Sequence, residues 1–486
     1  MSSVESLKQI YEANGQSQVF TFFDSLSESS KAALVQQLSS IDPERVSNIA
    51  KSVLSTTPDS SSETEKISPL PASASASLLT ASADEIAQWT TTGHNLIAEN
   101  TVAVVLLAGG QGTRLGSSAP KGCFDIGLPS HKSLFELQAE RILSLQKLVS
   151  RITGKVNVVI PWYIMTSGPT KQPTVSFFRD HDYFGLDPAN VTFFEQGVLP
   201  CIDNQGKILL ESPDKVAVAP DGNGGIYRAL VDQAILPDLT RRGIKHVHAY
   251  CVDNCLVKMA DPVFIGFAAS RNVNVATKSV PKRSPIENVG LIVSKDGRPA
   301  VIEYSEISAE MAHRTVTAKN REELAFRTAN IVNHYYSVEY LTGIPLWRDD
   351  YLPYHVARKK IPTVDLVTGQ PVSPATPNGI KLEQFIFDCF PQIKLSRFAN
   401  LEVLREDEFS PLKNKAGTVG EDDADSSRAD LLKQGKRWLE AIGASVAPGV
   451  VGVEVPPLVS FAGENLEQFK GKSFSSEIEL GQEAKI

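Results

Sequence analysis

Cysteine is scarce in this chain: five among 486 residues, at 123, 201, 251, 255 and 389. Thiols so few, and odd in number, exclude a disulfide-stapled scaffold and fit a reducing compartment, the cytoplasm. Long apolar runs are missing as well. None approaches the ~18–20 residues that a membrane helix needs. The first 25 residues lack the basic start and apolar core of a secretory signal, and Glu5 and Glu12 interrupt them. Positive charge is in deficit: 48 Lys and Arg against 56 Asp and Glu give a net charge of −8. A nonspecific nucleic-acid binder needs a basic face, so neither nucleic acid nor a membrane is an expected partner. There is no Gly-x-Ser-x-Gly nucleophile elbow and no internal repeat. The rest is ordinary for a globular protein, 42% hydrophobic and 21% charged.

What is present is ordered along the chain. Leu7, Ile10 and Tyr11, then Leu34, Val35 and Leu38, recur at three-and-four spacing and predict helices over 3–54. Asp42-Pro43 has the form of an N-cap followed by proline at the first helical position, opening a helix through Val53. A Ser/Thr/Ala/Pro-rich stretch, about 55–83, reads as an irregular connector, and a helix over Ala83–Glu99 follows it. These segments make a helical N-terminal region, 1–100. From 101 to 395, apolar strand-like runs (Val102–Ala108, Val156–Met165, Val191–Gln196, His246–Val252, Val273–Lys278, Gly290–Ser294, Val301–Glu303) alternate with helical patterns such as Leu134–Ser150 and Tyr227–Ala234. Such alternation argues an α/β fold, a mostly parallel sheet with helices on its faces. Residues 396–486 read as a small α+β C-terminal domain. It holds an acidic loop at 417–427, a helix over Arg428–Ile442 ended by Gly443, and short strands in Val450–Val459 and neighbouring runs, broken by Pro and Gly.

The stretch VVLLAGGQGTRLGSSAPKG, 104–122, carries the most chemistry. A buried strand runs through Leu107 and Ala108 into Gly109, Gly110 and Gly112, then Arg114 and Lys121. Glycines let amides approach phosphate oxygens, and the two cations suit the charge that moves when a phosphoanhydride breaks. No Gly-Lys-[Ser/Thr] follows, so this is not a Walker A loop, and Leu115 breaks the dinucleotide fingerprint. A structural strand-to-helix turn is the plainer reading of a lone glycine cluster; Arg114 and Pro120-Lys121-Gly122 favour a nucleotide. Asp253 follows an apolar strand, so its carboxylate emerges at the sheet's carboxyl edge. It suits a magnesium ion shared with phosphates, although an N-cap or salt bridge is the commoner fate of an aspartate at a strand end. Pro220-Asp221-Gly222-Asn223-Gly224-Gly225 is either a tight turn or a close ligand approach. Cys251-x3-Cys255 and His246-x-His248 lack the further ligands that a metal site requires.

LAGGQGTRLG followed by PKG resembles the nucleotidyltransferases that make nucleotide sugars. The likeness continues through IMTSGPT (164–170), FFEQG (193–197), APDGNGG (219–225), YCVDN (250–254), IEYSEI (302–307), ANIVNH (329–334), PNGIKLEQFIFD (377–388) and LREDEFSPLKN (404–414). Over about 100–415 the chain resembles the eukaryotic-type UDP-N-acetylhexosamine pyrophosphorylases. The resemblance implies a Rossmann-like nucleotidyltransferase core and a reaction of UTP with N-acetylglucosamine 1-phosphate giving UDP-N-acetylglucosamine and pyrophosphate, with Mg²⁺. N-acetylgalactosamine 1-phosphate is a further expected substrate. It also implies roles. Leu107, Ala108, Gly109, Gly110 and Gly112 lie along the nucleotide, Arg114, Lys121 and Lys413 on its phosphates, and Asp253 on the metal. Gln196, Pro220, Gly222 and Asn223 face uracil and sugar, Gly290, Glu303 and Asn330 the sugar, and Lys381 the phosphates. Relatives of this type often carry glycine before that asparagine, where Ala329 stands here. Two alternatives stay open: a UDP-glucose or broad UDP-sugar pyrophosphorylase, and a nonenzymatic nucleotide-sugar sensor. The sequence sets no oligomeric state.

Overall fold

The computed structural model describes residues 4–55, 66–318, 321–347, 352–417 and 422–481. The chain forms two compact units, each drawn from three segments. The larger holds Lys66–Glu195, Leu230–Leu346 and Cys389–Ile486; the smaller holds Met1–Glu65, Gln196–Ala229 and Trp347–Asp388.

In the larger unit the central sheet is built from β1 (Val102–Leu107), β2 (Trp162–Thr166), β3 (Val191–Glu195), β4 (His246–Cys251), β5 (Val275–Pro281), β6 (Leu291–Lys295), β7 (Arg298–Ile302), β8 (Thr328–Ser337) and β9 (Phe398–Glu402). Its order runs from the short strand Ser75–Ser77 through β9, β5, β8, β4, β1 and β2 to β3. All these neighbours are parallel except β8, which lies antiparallel between β4 and β5. The β6–β7 hairpin joins at one end of β8 through Leu291 opposite Ala329. Every residue of β1 is buried, as expected of a strand covered on both faces, and this accounts for its unbroken apolar run. The crossover to β2 is the helix Leu134–Thr153. Ser133 caps it by accepting the Glu136 amide, and Gly154 ends it in the left-handed region. From β1 the chain passes to β2 on one side, while β4 pairs with β1 on the other. The loops after β1 and β4 therefore diverge at a topological switch point, where sheets of this kind bind ligands.

The predicted strands are present with shifted ends, within an α/β fold whose sheet is mostly parallel. Three expectations are corrected. Short strands do flank it, Ser445–Val446 pairing with Ser473–Phe474, but Val450–Val459 itself contains no strand. Pro448, Pro456 and Pro457 withhold ladder donors, and Gly452 instead seats this segment against the helix Ala424–Ala441: a Cβ on Gly452 would stand 1.9 Å from the Leu432 carbonyl oxygen. Of the expected irregular connector, 56–65 lies outside the described residues. The remainder includes Ile67–Pro69, paired with β6, and Ser75–Ser77, paired with β9. Small residues pack at sheet edges as well as in linkers. Of the expected acidic loop, 418–421 lies outside the described residues, and the helix following it begins earlier, at Ala424, capped by Asp423.

In the smaller unit, helices Val4–Ala13, Glu28–Ser39 and Pro43–Ser55 bury Leu7, Tyr11, Leu34, Leu38, Val46 and Ile49. They pack on Ile202, Ile208, Leu210, Val216, Ile380 and Leu382 of a β platform. That platform includes the antiparallel strands His355–Lys359, Gly379–Glu383 and Ile202–Asp203.

Candidate functional site

The larger unit gathers Arg114, Lys121 and Lys413. After β1 the loop turns sharply: the Gly112 amide donates to the Ala119 carbonyl (2.9 Å), and the Lys121 amide to that of Gly110 (3.2 Å). Gly112 thus closes the turn and is not an open donor. The amides of Gly109, Gly110, Gln111, Thr113 and Arg114 find no acceptor among the described residues. Successive unspent N–H groups at the end of a strand form an anion cradle. A Cβ on Gly110 would meet nothing within 4 Å, so this backbone faces open space. Ser167 Oγ braces the loop by donating to the Gly109 carbonyl (2.7 Å). Arg114 is exposed and has no ion pair among the described residues. Gly122 has a different duty: a Cβ there would lie 2.2 Å from the Phe135 ring, so it seats the loop on the crossover helix.

Lys121 reaches from this loop to Asp253, Nζ to Oδ2 3.9 Å, and donates to the Leu412 carbonyl (3.1 Å). The Leu412 amide donates to the Asp253 carbonyl (2.8 Å). Lys413, half exposed, follows directly, its ammonium 3.5 Å from Asp422. Three regions distant in sequence (121, 253 and 412–413) thus meet beyond the carboxyl ends of β1 and β4. As a metal ligand Asp253 stands alone: no three His, Cys, Asp or Glu among the described residues converge to enclose an ion. One partly exposed carboxylate fits a hard cation that takes its remaining ligands from phosphate and water. It does not fit a closed zinc site. Burial pushes the Cys255 thiol up to about 12 and the Cys251 thiol higher still, so neither offers a thiolate. His248 is spent on the Ala260 amide (2.9 Å) and Asn333, and His246 on the Tyr335 hydroxyl (2.7 Å).

Gly290, Glu303 and Asn330 also come together. A Cβ on Gly290 would lie 3.1 Å from Glu303 Oε1, and the Asn330 amide donates to the Gly290 carbonyl (2.9 Å). Asn330 sits at an irregularity in β8. Its neighbours pair Lys278 with Asn333 but Ser279 with Asn330, so Ile331 and Val332 bulge out. Val332 takes φ 50°, a strained value for a β-branched residue. Its amide is held by Asn330 Oδ1 (3.0 Å).

The smaller unit holds Gln196, Pro220, Gly222, Asn223 and Lys381. The 219–225 turn is clasped to 384–386: Gly224 donates to the Gln384 carbonyl (2.8 Å), and Asn223 Oδ1 accepts the Ile386 amide (3.0 Å). Gly222, at φ 85°, has no room for a Cβ, which would stand 2.3 Å from Gln384 O. The Asp221 amide donates to Gly197 (3.2 Å), so Gln196-Gly197 lies beside this turn. Asp221 itself is buried 5% exposed, its Oδ1 without a partner, and desolvation pushes its carboxyl up to about 6. Lys381, in the strand Gly379–Glu383, is half buried opposite Ala357. The residues missed by sequence reasoning are Asp221, Ser167 and Asn254. Each lies inside a quoted motif, APDGNGG, IMTSGPT and YCVDN, and that placement was the legible signal.

The family model described as UTP–glucose-1-phosphate uridylyltransferase matches residues 45–422. UDP-N-acetylglucosamine pyrophosphorylase of Saccharomyces cerevisiae is 49% identical over 96% of this chain and 97% of that protein. UDP-N-acetylhexosamine pyrophosphorylase-like protein 1 of Xenopus tropicalis is 44% identical over 98% of this chain and 96% of its own length. The crystal structure of uridine diphosphate N-acetylglucosamine pyrophosphorylase from Trypanosoma brucei, in complex with inhibitor, superposes with a TM-score of 0.81 at 31% identity, covering 96% of this chain and 95% of that one. With the open-amide loop after β1, the Lys121–Asp253 pair and these likenesses together, the chain belongs to the UTP–glucose-1-phosphate uridylyltransferase family and, within it, to the eukaryotic UDP-N-acetylglucosamine pyrophosphorylases.

Proposed function

We propose that this protein transfers the uridylyl group of UTP to N-acetylglucosamine 1-phosphate, forming UDP-N-acetylglucosamine and pyrophosphate. The observation that carries the reading is the meeting of unspent loop amides with Lys121, Asp253 and Lys413 at one sheet edge. A phosphate oxygen of the sugar phosphate attacks the α-phosphorus of UTP. The new P–O bond forms as the α–β anhydride breaks, and the electron pair leaves on pyrophosphate. A phosphate monoester has its second pKa near ~6, so the nucleophile is already a dianion and no general base is required. The barrier lies in bringing polyanions together and dispersing charge on the leaving group, a task of positioning and electrostatics.

Each residue has its part in that task. The amides of Gly109, Gly110 and Gln111 hold phosphate oxygens. Arg114 and Lys121 take the β- and γ-phosphates, and Lys413 assists. Asp253 is the residue that would hold Mg²⁺, whose charge neutralises the α-phosphate when it is bound. Gln196, Pro220, Gly222 and Asn223 read uracil and sugar, Gly290, Glu303 and Asn330 orient the sugar, and Lys381 is a further phosphate contact. We assign the reaction to the cytoplasm, a reading supported by cysteines few and odd in number. N-acetylgalactosamine 1-phosphate is a second acceptor, in keeping with the hexosamine in the Xenopus relative's name. The test is pyrophosphate release from Mg-UTP with a panel of sugar 1-phosphates. N-acetylglucosamine 1-phosphate is expected to give the highest kcat/KM. Release with glucose 1-phosphate and none with the N-acetylated sugar would overturn the substrate assignment.

A further inference from the structure

We infer that Asn254 is a positioning residue that seats the Lys413 segment against the Asp253 turn. The inference rests on the reading just given of those two residues. Asn254 is 3% exposed, and its side-chain amide is spent on backbone. Nδ2 donates to the Glu408 carbonyl (2.7 Å), while Oδ1 accepts the Ser410 amide (3.0 Å) and the Leu256 amide (3.2 Å). Donating to residue 408 and accepting from 410 is what a neighbouring peptide strand would do. The side chain therefore extends toward residue 408 the antiparallel main-chain bridge that pairs Asn254 with Pro411. That bridge carries the seam on to Leu412, through the Cys255 amide to the Ser410 carbonyl (2.9 Å) and the Leu412 amide to the Asp253 carbonyl (2.8 Å). The seam ends where Lys121 grips Leu412, one residue before Lys413.

Both sides of the seam are anchored from behind. The turn is held by Arg141, which donates to the carbonyls of Cys255 (2.8 Å) and Val257 (3.3 Å), and by Gln138, which donates to Val252 (3.3 Å). On the far side Glu408 meets the fully buried Lys278 (2.8 Å), which also meets Asp261 (2.6 Å), and Lys258 (3.3 Å). With both segments fixed from behind, their mutual register falls to the seam. Neither of the nearest replacements makes the same bonds. Aspartate keeps the acceptors but loses the donor that faces the Glu408 carbonyl. Glutamine is one methylene too long.

The test is a double-mutant cycle with a structural readout beside it. Asn254→Ser and Asn254→Ala are expected to lower kcat about 10²-fold, with KM for the sugar 1-phosphate unchanged. Because Asn254 acts through Lys413 and Asp253, adding Lys413→Ala to either variant should cost little more than the worse single change, whereas losses at independent sites add. In the nucleotide-free protein, hydrogen exchange of the Ser410, Leu412 and Lys413 amides should rise in Asn254→Ser while that of β1 and β4 stays as it was. Additive losses, unchanged turnover, exchange that rises uniformly, or failure of both variants to fold would overturn the inference. Wild-type protein inactive with UTP and every sugar 1-phosphate would overturn the functional reading instead, and the exchange measurement would still judge the seam.

Discussion

Arg114 and Asp221 mark opposite ways in which one side chain can be used. Arg114 is exposed and unpaired among the described residues, so nothing in the fold depends on it. Arg114→Ala is expected to leave the melting temperature within ~1 °C, as for surface changes generally, and to lower turnover by at least ~10²-fold. Parallel melting and steady-state assays check this, and near-normal turnover would remove Arg114 from the chemistry. Asp221 is the reverse, a buried carboxyl that the fold holds at a cost. Desolvation raises it from 3.8 to about 6, against the lowering influence of Arg45 and Arg228. The folded state therefore binds the proton more tightly than the unfolded chain. The stability this group contributes is complete below about pH 4 and is lost as pH rises to about 6. That change is worth about 3 kcal/mol. Asp221→Asn should raise the melting temperature at pH 8 and flatten its dependence between pH 4 and 6. An unchanged pH dependence would contradict the assignment. Arg114 could be read in the sequence because its chemistry is local to a loop. Asp221 could not, since its burial depends on Gly197 and Gly225 making room: a Cβ on either would stand 2.6 or 1.9 Å from a carboxylate oxygen.

Among elements, the helices Ala83–Ala98 and Pro262–Ser270 cross in close contact. A Cβ on Gly93 would stand 1.9 Å from the Pro262 carbonyl oxygen, and one on Gly266 1.8 Å from that of Trp89. Backbone lies directly against backbone, with Trp89 edge-on to Phe267. Gly266→Ala must force the helices apart and is expected to cost about 1–3 kcal/mol. Thermal melting would read it, and an unchanged Tm would show that the crossing yields. Periodicity gave the types of the strands β1 to β7 and of the long helices, because each buries apolar residues at a fixed spacing. It missed β8, although that strand is ten residues long. The run carries Asn330, Asn333 and His334 among its apolar residues and a bulge at Val332, so neither a period of two nor an unbroken apolar stretch survives. The polar positions that obscure it as a strand are those that put Asn330 beside Gly290.

For the whole molecule, local reading could follow the order of elements but not their grouping. Each compact unit takes three separated segments, and interleaving leaves no trace in composition read along the chain. The N-terminal helices show the consequence. They are legible as amphipathic, yet their buried faces pair with residues far along the chain, such as Ile208 and Leu382. The candidate site was legible where motif and strand end coincide, at 109–121 and at Asp253, and illegible where it depends on register between distant segments, as at Asn254 and 408–413. The central claim is that the triphosphate lies on the open amides after β1, between Arg114 and Lys121. The most direct measurement is a crystal structure with uridine nucleotide and Mg²⁺. The account predicts phosphate oxygens within hydrogen-bonding distance of the Gly109–Gln111 amides and of Lys121. A well-ordered uridine nucleotide whose phosphates touch none of these groups would contradict it.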